Sequence, residues 1–142
     1  MRIEGRIMID RPAEDVWKFL SEPSNWTKKD PDALEAKLTS EGPVAVGSTG
    51  LIRYPKQTLS IRFIEYDPNT KIITVEFTSG HIKGTKTTYR MQSIDKKTKL
   101  TRTDELNFSG IHKLQGQFIA RRMMKTVENE LNNTQRIMES QS

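Results

Sequence analysis

The C-terminal segment IHKLQGQFIARRMMKTVENELNNTQRIMES most constrains the fold, because its apolar residues have the periodicity of one long helix. Residues at steps of three and four form a continuous stripe: Ala120, Met124, Val127, Leu131, Thr134 and Met138. About 28 residues rising ~1.5 Å each give a helix of ~40 Å. A chain of 142 residues is expected to form a single domain, residues 1–142, which such a helix would cross.

The beginning of this helix does not follow the stripe. Ile111, Leu114 and Phe118 lie nearly opposite it on a helical projection. Either the helix starts after them, or Gly116 kinks it and its first turns pack elsewhere. These apolar residues could form a gate between Gly110 and Gly116, a dimer contact, or packing under the N-terminal helices. The sequence does not decide whether the protein is a monomer or a homodimer.

Most of the remaining chain alternates apolar and polar residues, which is the period of half-buried β-strands. Ile3, Ile7 and Ile9 share one parity in the first run. Alternation resumes at Leu34, and five runs follow one another from residue 49. Turn sequences such as DPNTK and DKKTK separate the later runs. Seven strands with short connections predict an antiparallel meander in an α+β fold.

The segment MIDRPAEDVWKFLSEPSNWTKKDP holds both tryptophans of the chain. Pro12 is tolerated in a first helical turn, and Val16 and Trp17 share the apolar face of that helix. SEPSN ends the helix, and Trp26 lies in a second short turn stopped by Pro31. Core packing is favoured over a stacking platform for bases or sugars, although Trp26 alone is ambiguous.

Composition argues against several classes of function. The chain has no cysteine, which excludes disulfides and thiolate metal sites and is compatible with a reducing compartment. No run approaches the ~20 apolar residues of a membrane helix, and the charged N-terminus has no signal-peptide core. We therefore expect a cytoplasmic protein without membrane insertion. The net charge of +5 is scattered along the chain, so nucleic-acid binding is not expected.

Common catalytic and cofactor motifs are also missing. His81 and His112, the only histidines, do not have a metal-ligand spacing. GPVAVGSTG lacks the Lys-Ser/Thr ending of a phosphate-binding loop, and no nucleophile elbow surrounds a serine. We expect no metal, no cofactor and no serine triad.

Polar residues on the inward parity of two late strands give the strongest indication of a site. If Tyr89 faces inward, so does His81, although Gly80 before it indicates a turn and a position at the rim. If Leu100 faces inward, Arg102 and Asp104 follow it. Buried polar groups are costly unless they pair or meet water or a ligand. The pattern predicts a ligand pocket, unless a bulge reverses the parity or the two charged residues simply pair with each other.

Three segments resemble the START-like superfamily, also called SRPBCC or the birch-pollen-allergen fold. IMIDRPAEDVWKFLSEPSNWTKKDP is similar to its first strand and helix pair, and GPVAVGSTGLIRY to its glycine-rich link. LNFSGIHKLQGQFIARRMMKTVENELNNTQRIME resembles the closing helix of polyketide cyclase/dehydrase-like members. The resemblance implies a helix-grip fold: a seven-stranded curved antiparallel sheet wraps around the long C-terminal helix, and two short helices follow strand 1. Trp17 and Trp26 would then belong to the helix pair that closes one end of a cavity.

By this resemblance the chain is expected to bind a small, largely apolar ligand or lipid in the cavity between the sheet and the helix. Transport of that ligand is left open. The candidate ligand-binding residues are Phe63, Val75, Phe77, His81, Tyr89, Arg102, Asp104, Met124 and Val127. Core packing is the default for the apolar ones. A cyclase or dehydratase acting on an apolar or aromatic substrate is one alternative, with His81, Asp104 or Glu105 as acid or base. A protein-interaction module of the chaperone-activating or toxin type is another.

Overall fold

The computed structural model describes residues 1–107 and 113–141, and the side chains of residues 113–115 lie outside that description. The elements follow in this order: β1 (Arg2–Ile9), α1 (Ala13–Leu20), a 3₁₀ turn (Pro23–Asn25), α2 (Trp26–Lys29), β2 (Glu35–Leu38), β3 (Thr49–Arg53), β4 (Thr58–Asp67), β5 (Ile72–Phe77), β6 (Lys86–Ile94), β7 (Lys97–Glu105) and α3 (Lys113–Glu139). Among the described helices, none combines the length and the apolar character of a membrane span.

The seven strands of the described chain form one antiparallel sheet in the order β1-β7-β6-β5-β4-β3-β2. Strands β2 to β7 are a meander, and β1 joins it by pairing with β7 along its whole length. The predicted DKKTK turn is a tight hairpin in which Ile94 pairs with Lys97. Asp95 and Lys96 between them adopt φ of 48° and 66°, as a two-residue hairpin loop requires. The meander and the α+β class are therefore confirmed.

Apolar alternation buries one face of the sheet, as the sequence predicts. The β6–β7 register runs without a break, so no bulge reverses the parity of the late strands. Tyr89 and Leu100 accordingly face inward. The bulge lies instead in β4, where the register with β5 shifts between Phe63 and Glu65.

Helix α3 packs against β1 and approaches it closely at Gly5. A Cβ added there would lie 2.9 Å from Val127 Cγ1 and 3.0 Å from Leu131 Cδ1, so a residue without a side chain permits this approach. The later part of the predicted stripe is buried: Val127, Leu131, Thr134 and Met138. The sheet and α3 thus form the predicted helix-grip arrangement.

The helix begins at Lys113 and continues through Gly116, so the alternative in which it starts after Phe118 is wrong. Phe118 is 70% exposed and does not pack under the N-terminal helices. Ile111 and the side chain of Leu114, the other two members of the suggested gate, lie outside the described residues.

Both tryptophans are buried, at 6% exposure each, as core packing predicts. The Trp17 ring lies 5.2 Å from that of Tyr66, and the Trp26 ring lies 5.9 Å from that of Phe63. The indole N–H of Trp26 donates to the Leu20 carbonyl at 2.9 Å, which joins α2 to the end of α1. Neither ring is an exposed stacking platform.

Candidate functional site

Two adjoining cavities lie between the sheet, α2 and α3. The inner chamber has a volume of about 50 Å³, and its wall includes Trp26, Val75 and Tyr89. The outer chamber has a volume of about 260 Å³, and its wall includes Leu59 and Ile119. Both chambers share one part of their wall: Asp30, Tyr54, Phe77, Arg102 and Glu130. This shared wall makes them two parts of one site.

Glu130 of α3 joins two buried cations at the shared wall. Its Oε1 accepts a hydrogen bond from Lys29 Nζ at 2.6 Å, and its Oε2 accepts one from Arg102 Nη1 at 2.5 Å. Arg102 Nε also donates to Asp104 Oδ2 at 3.1 Å, while the other Asp104 oxygen accepts from the Thr87 hydroxyl. The charged side chains of this network are 0–8% exposed. Pairing therefore offsets a desolvation cost that would otherwise be several kcal/mol per ion.

Tyr89 packs against both cations of the network. It lies opposite Arg102 in the β6–β7 register, with the guanidinium carbon 5.6 Å from its ring centroid. Lys29 Nζ lies 5.1 Å from the same centroid and donates to the Tyr89 hydroxyl at 3.0 Å. Both contacts are in the range of cation–π attraction. Tyr89 thus contacts both of the cations that share the Glu130 carboxylate.

Asp30 and Tyr54 form a second polar pair in the shared wall. Asp30 ends α2, where its backbone N–H donates to the Trp26 carbonyl at 3.0 Å. Its Oδ2 accepts a hydrogen bond from the Tyr54 hydroxyl at 3.1 Å, and its Oδ1 accepts one from the Asp32 backbone at 3.1 Å. The short α2 therefore delivers Lys29 to the ion network and Asp30 to the cavity wall.

The network changes the acidity of its members. Burial opposes the charge of Glu130, but the charges of Arg102 and Lys29 outweigh it and lower the pKa of this carboxyl to about 2. Burial likewise opposes the charge of Lys29, and the attraction of Glu130 outweighs it, so the Lys29 pKa is raised. Lys29, Arg102 and Glu130 are ionised at neutral pH.

Asp30 and Tyr54 shift toward their neutral forms. Burial, followed by repulsion from Glu130, raises the pKa of the Asp30 carboxyl. Burial and the neighbouring Asp30 raise the pKa of the Tyr54 hydroxyl. The cavity wall therefore contains a tyrosine that stays protonated and a carboxyl that takes up a proton more readily than usual. Within the described ranges, no group of three His, Asp or Glu side chains is placed to hold a metal ion.

Acid should weaken the fold through Glu130. The Glu130 pKa of about 2 lies below the ordinary 4.5, so its stabilisation is full above about pH 4.5 and is lost as pH falls toward 2. The whole loss is about 3 kcal/mol, at 1.36 kcal/mol per pH unit, and about 2 kcal/mol of it falls between pH 5 and pH 3. Asp30 acts in the opposite direction, because its raised pKa favours folding as it protonates. Urea unfolding at pH 5 and pH 3 measures the net loss, and Glu130→Gln should lose less; equal losses would contradict the assignment.

Comparison with known protein families identifies the family of this chain. Residues 1–139 match the family described as polyketide cyclase / dehydrase and lipid transport. The chain belongs to this family. The predicted polyketide cyclase-like branch of the START-like superfamily is thereby confirmed. A search of curated proteins found no match.

Solved structures share the helix-grip fold of this family member. The Zhui aromatase/cyclase from Streptomyces sp. R1128 superposes with a TM-score of 0.83 at 14% identity, covering 98% of this chain and 93% of that one. A protein from Thermus thermophilus gives 0.81 at 12% identity, with both chains fully covered. The di-domain aromatase/cyclase BexL of the BE-7585A biosynthetic pathway gives 0.80 at 17% identity over 96% of this chain, which spans only 45% of BexL. At these identities the likeness shows the fold alone.

Within this family fold, several predicted residues meet at the chambers. Val75, Phe77, Tyr89 and Arg102 line the inner one, and His81 joins Phe77 and Arg102 in the outer one. Asp104 is fully buried behind Arg102, and both of its oxygens accept hydrogen bonds.

Three other predicted residues lie away from the chambers. Phe63 is fully buried against Trp26. Val127 is fully buried where α3 contacts Gly5, and Met124 borders a separate surface groove beside β1. The helix instead presents its neighbouring face to the outer chamber, through Ile119, Met123, Thr126 and Glu130.

The sequence-based list missed five polar residues of the shared wall and network: Lys29, Asp30, Tyr54, Thr87 and Glu130. A usable signal existed for Glu130, which follows Val127 by one helical turn and so borders the apolar stripe. Lys29 and Asp30 follow Trp26 in a short turn, and nothing in the local sequence indicates that these two charged residues are buried.

Proposed function

We propose that the protein binds a small, largely apolar molecule in the two chambers, with the polar end of the guest at Arg102, Tyr54 and Asp30. The observation that carries this proposal is the form of the cavity: an outer chamber of about 260 Å³ with Leu59, Ile119 and other apolar side chains in its wall ends at a cluster of paired charges. Ligand sites typically combine such an apolar wall with a few convergent polar groups. The family description, which names lipid transport, supports the same conclusion.

The apolar wall would supply most of the affinity. Each Å² of apolar surface removed from water contributes roughly 25 cal/mol before the cost of association. The polar groups orient the guest and add little to its affinity, because they already pair with one another. The guest should therefore bind less tightly when a larger side chain occupies part of the outer chamber.

The test is native mass spectrometry of the freshly purified protein, followed by extraction and identification of the released compound. Thr126→Phe places a ring in the outer chamber from α3, and we expect the Kd of the recovered guest to rise about tenfold or more. Asn129→Phe, at an exposed position one turn further along, is the matched control and should bind as wild type does. Equal retention by both variants, or no apolar compound from the wild type, would count against the proposal.

The Asp30–Tyr54 pair favours a second candidate, an enzyme of the cyclase or dehydratase type. A carboxyl with a raised pKa beside a substrate cavity suits a general acid or base. Of the residues considered from sequence, His81 lines the outer chamber, Asp104 uses both oxygens internally and Glu105 is exposed.

Product analysis separates the two candidates. A binding protein returns its guest unchanged, whereas an enzyme converts the compound it retains. For an enzyme, Asp30→Asn should abolish turnover while changing affinity much less, because the amide keeps the shape and one acceptor oxygen.

A further inference from the structure

The charges around the chambers do not match the charge of the whole chain. The protein carries a net charge of +5, yet the network and shared wall hold two cations and three carboxylates. The cations are Lys29 and Arg102, and the carboxylates are Asp30, Asp104 and Glu130. Asp32 and His81 also line the outer chamber. With these carboxyls ionised, an arriving anion meets a site in which carboxylates outnumber the Lys and Arg side chains.

Both cations are already engaged by carboxylates. Lys29 holds Glu130 at 2.6 Å, and Arg102 holds Glu130 at 2.5 Å and Asp104 at 3.1 Å. A third carboxylate at Arg102, brought by the guest, would lie beside Glu130 in a region of low dielectric constant, where repulsion between like charges is strong. The guanidinium is therefore a poor anchor for an acid, although its charge alone would favour one.

The free hydrogen-bonding positions match a hydroxyl group instead. Among the described residues, the hydrogen bonds of Arg102 leave from Nε and Nη1, so Nη2 can donate to a guest. Tyr54 donates to Asp30 and keeps a lone pair, and the Asp30 and Glu130 carboxylates also have acceptor capacity left. A hydroxyl uses one donor and one acceptor at once, whereas a carboxylate only accepts.

We infer that the chambers select a neutral guest that carries a hydroxyl or phenol group and reject guests that end in a carboxylate, such as free fatty acids. This inference rests on the proposed function and specifies the chemical class of its guest. It assigns Arg102 Nη2 as the donor to the guest oxygen, and the Asp30–Tyr54 pair together with Glu130 as the acceptors.

The test compares two probes of nearly equal shape, 2-naphthol and 2-naphthoate, by isothermal titration calorimetry at pH 7. We expect 2-naphthol to bind at least about tenfold more tightly. Glu130→Gln removes the carboxylate that Lys29 and Arg102 share, so 2-naphthoate should gain about tenfold in affinity for this variant. Glu128→Gln, an exposed change on the same helix, is the matched control and should keep the wild-type preference.

Asp30→Asn covers the case in which Glu130→Gln fails to fold. It removes one negative charge from the cavity wall and keeps an acceptor oxygen, so it should also narrow the difference between the probes. Equal binding of both probes by the wild type, or an unchanged preference in every folded variant, would overturn this inference and leave the proposed function standing. If the wild type binds neither probe, the result counts against the proposed function itself, and the inference falls with it.

Discussion

Glu130→Ala is expected to lower the free energy of unfolding by about 3–5 kcal/mol, because it leaves buried Lys29 without its carboxylate and Arg102 with only Asp104. Urea denaturation followed by circular dichroism measures this loss. The reason for so large an effect is the burial of both cations, whose desolvation the Glu130 carboxylate offsets.

A surface ion pair provides the matched control. Arg62 and Glu76 are 2.7 Å apart on β4 and β5, with side chains 52% and 22% exposed. Glu76→Ala should lower the free energy of unfolding by only about 0–1 kcal/mol. The double variant Lys29→Met with Glu130→Leu should lose less than its two single variants together, with a coupling of about 0.5–3 kcal/mol. Equal effects of the buried and the exposed glutamate would contradict the network.

Phe63→Ala should be comparably destabilising, by about 3–5 kcal/mol. Phe63 is fully buried, and its ring contacts Trp26 at 5.9 Å and Tyr66 at 6.4 Å. Truncation would leave a cavity between the sheet and the helix pair, and the surrounding rings could not collapse into it. Chemical denaturation measures the loss, and an unchanged slope against urea concentration would show that the fold is otherwise intact.

Two further variants separate packing from ligand contact at this position. Phe118→Ala, at a residue 70% exposed, should change the unfolding free energy by no more than about 0.5 kcal/mol. Phe63→Leu, which removes less volume, should retain the guest as the wild type does, since Phe63 does not line either chamber. A tolerated Phe63→Ala that lost the guest would instead place this residue in the site, as the sequence-based prediction had it.

The fold could be predicted because its signals are local and repeated. Alternation along each strand identifies the buried face. Of the two parities left open for the late strands, the one with Tyr89, Arg102 and Asp104 inside is found in the structure. The hairpin at Asp95 follows from turn composition, and the length of α3 from its periodicity. Each of these signals needs only neighbouring residues to be read.

The polar part of the site could not be predicted in the same way, because it depends on contacts between distant segments. Lys29 and Glu130 meet only after α2 packs on α3, and Arg102 reaches the same carboxylate from β7. The residues next to Lys29 in the sequence do not distinguish it from a lysine on the surface. The sequence left two interpretations of Arg102 and Asp104: polar groups of a pocket, or an ion pair. The structure is compatible with both, because the two residues pair with each other and Arg102 still lines both chambers.

The exact rotation of α3 explains the remaining differences. The stripe through Val127 was expected to face the cavity, but the close approach to Gly5 turns it toward β1. The face that carries Met123 and Glu130 borders the outer chamber in its place. Periodicity identifies the apolar stripe of a helix, but the packing partner of that stripe is decided elsewhere in the chain.

The different surroundings of the two tryptophans give the molecule an optical reporter. Trp26 lines the inner chamber, whereas Trp17 packs against Tyr66. Indole emission responds to the polarity of its surroundings, so arrival of a guest should change the light emitted by Trp26. A Trp17→Phe variant would leave Trp26 as the only tryptophan, and filling of the cavity could then be followed in solution through its emission, with unlabelled compounds.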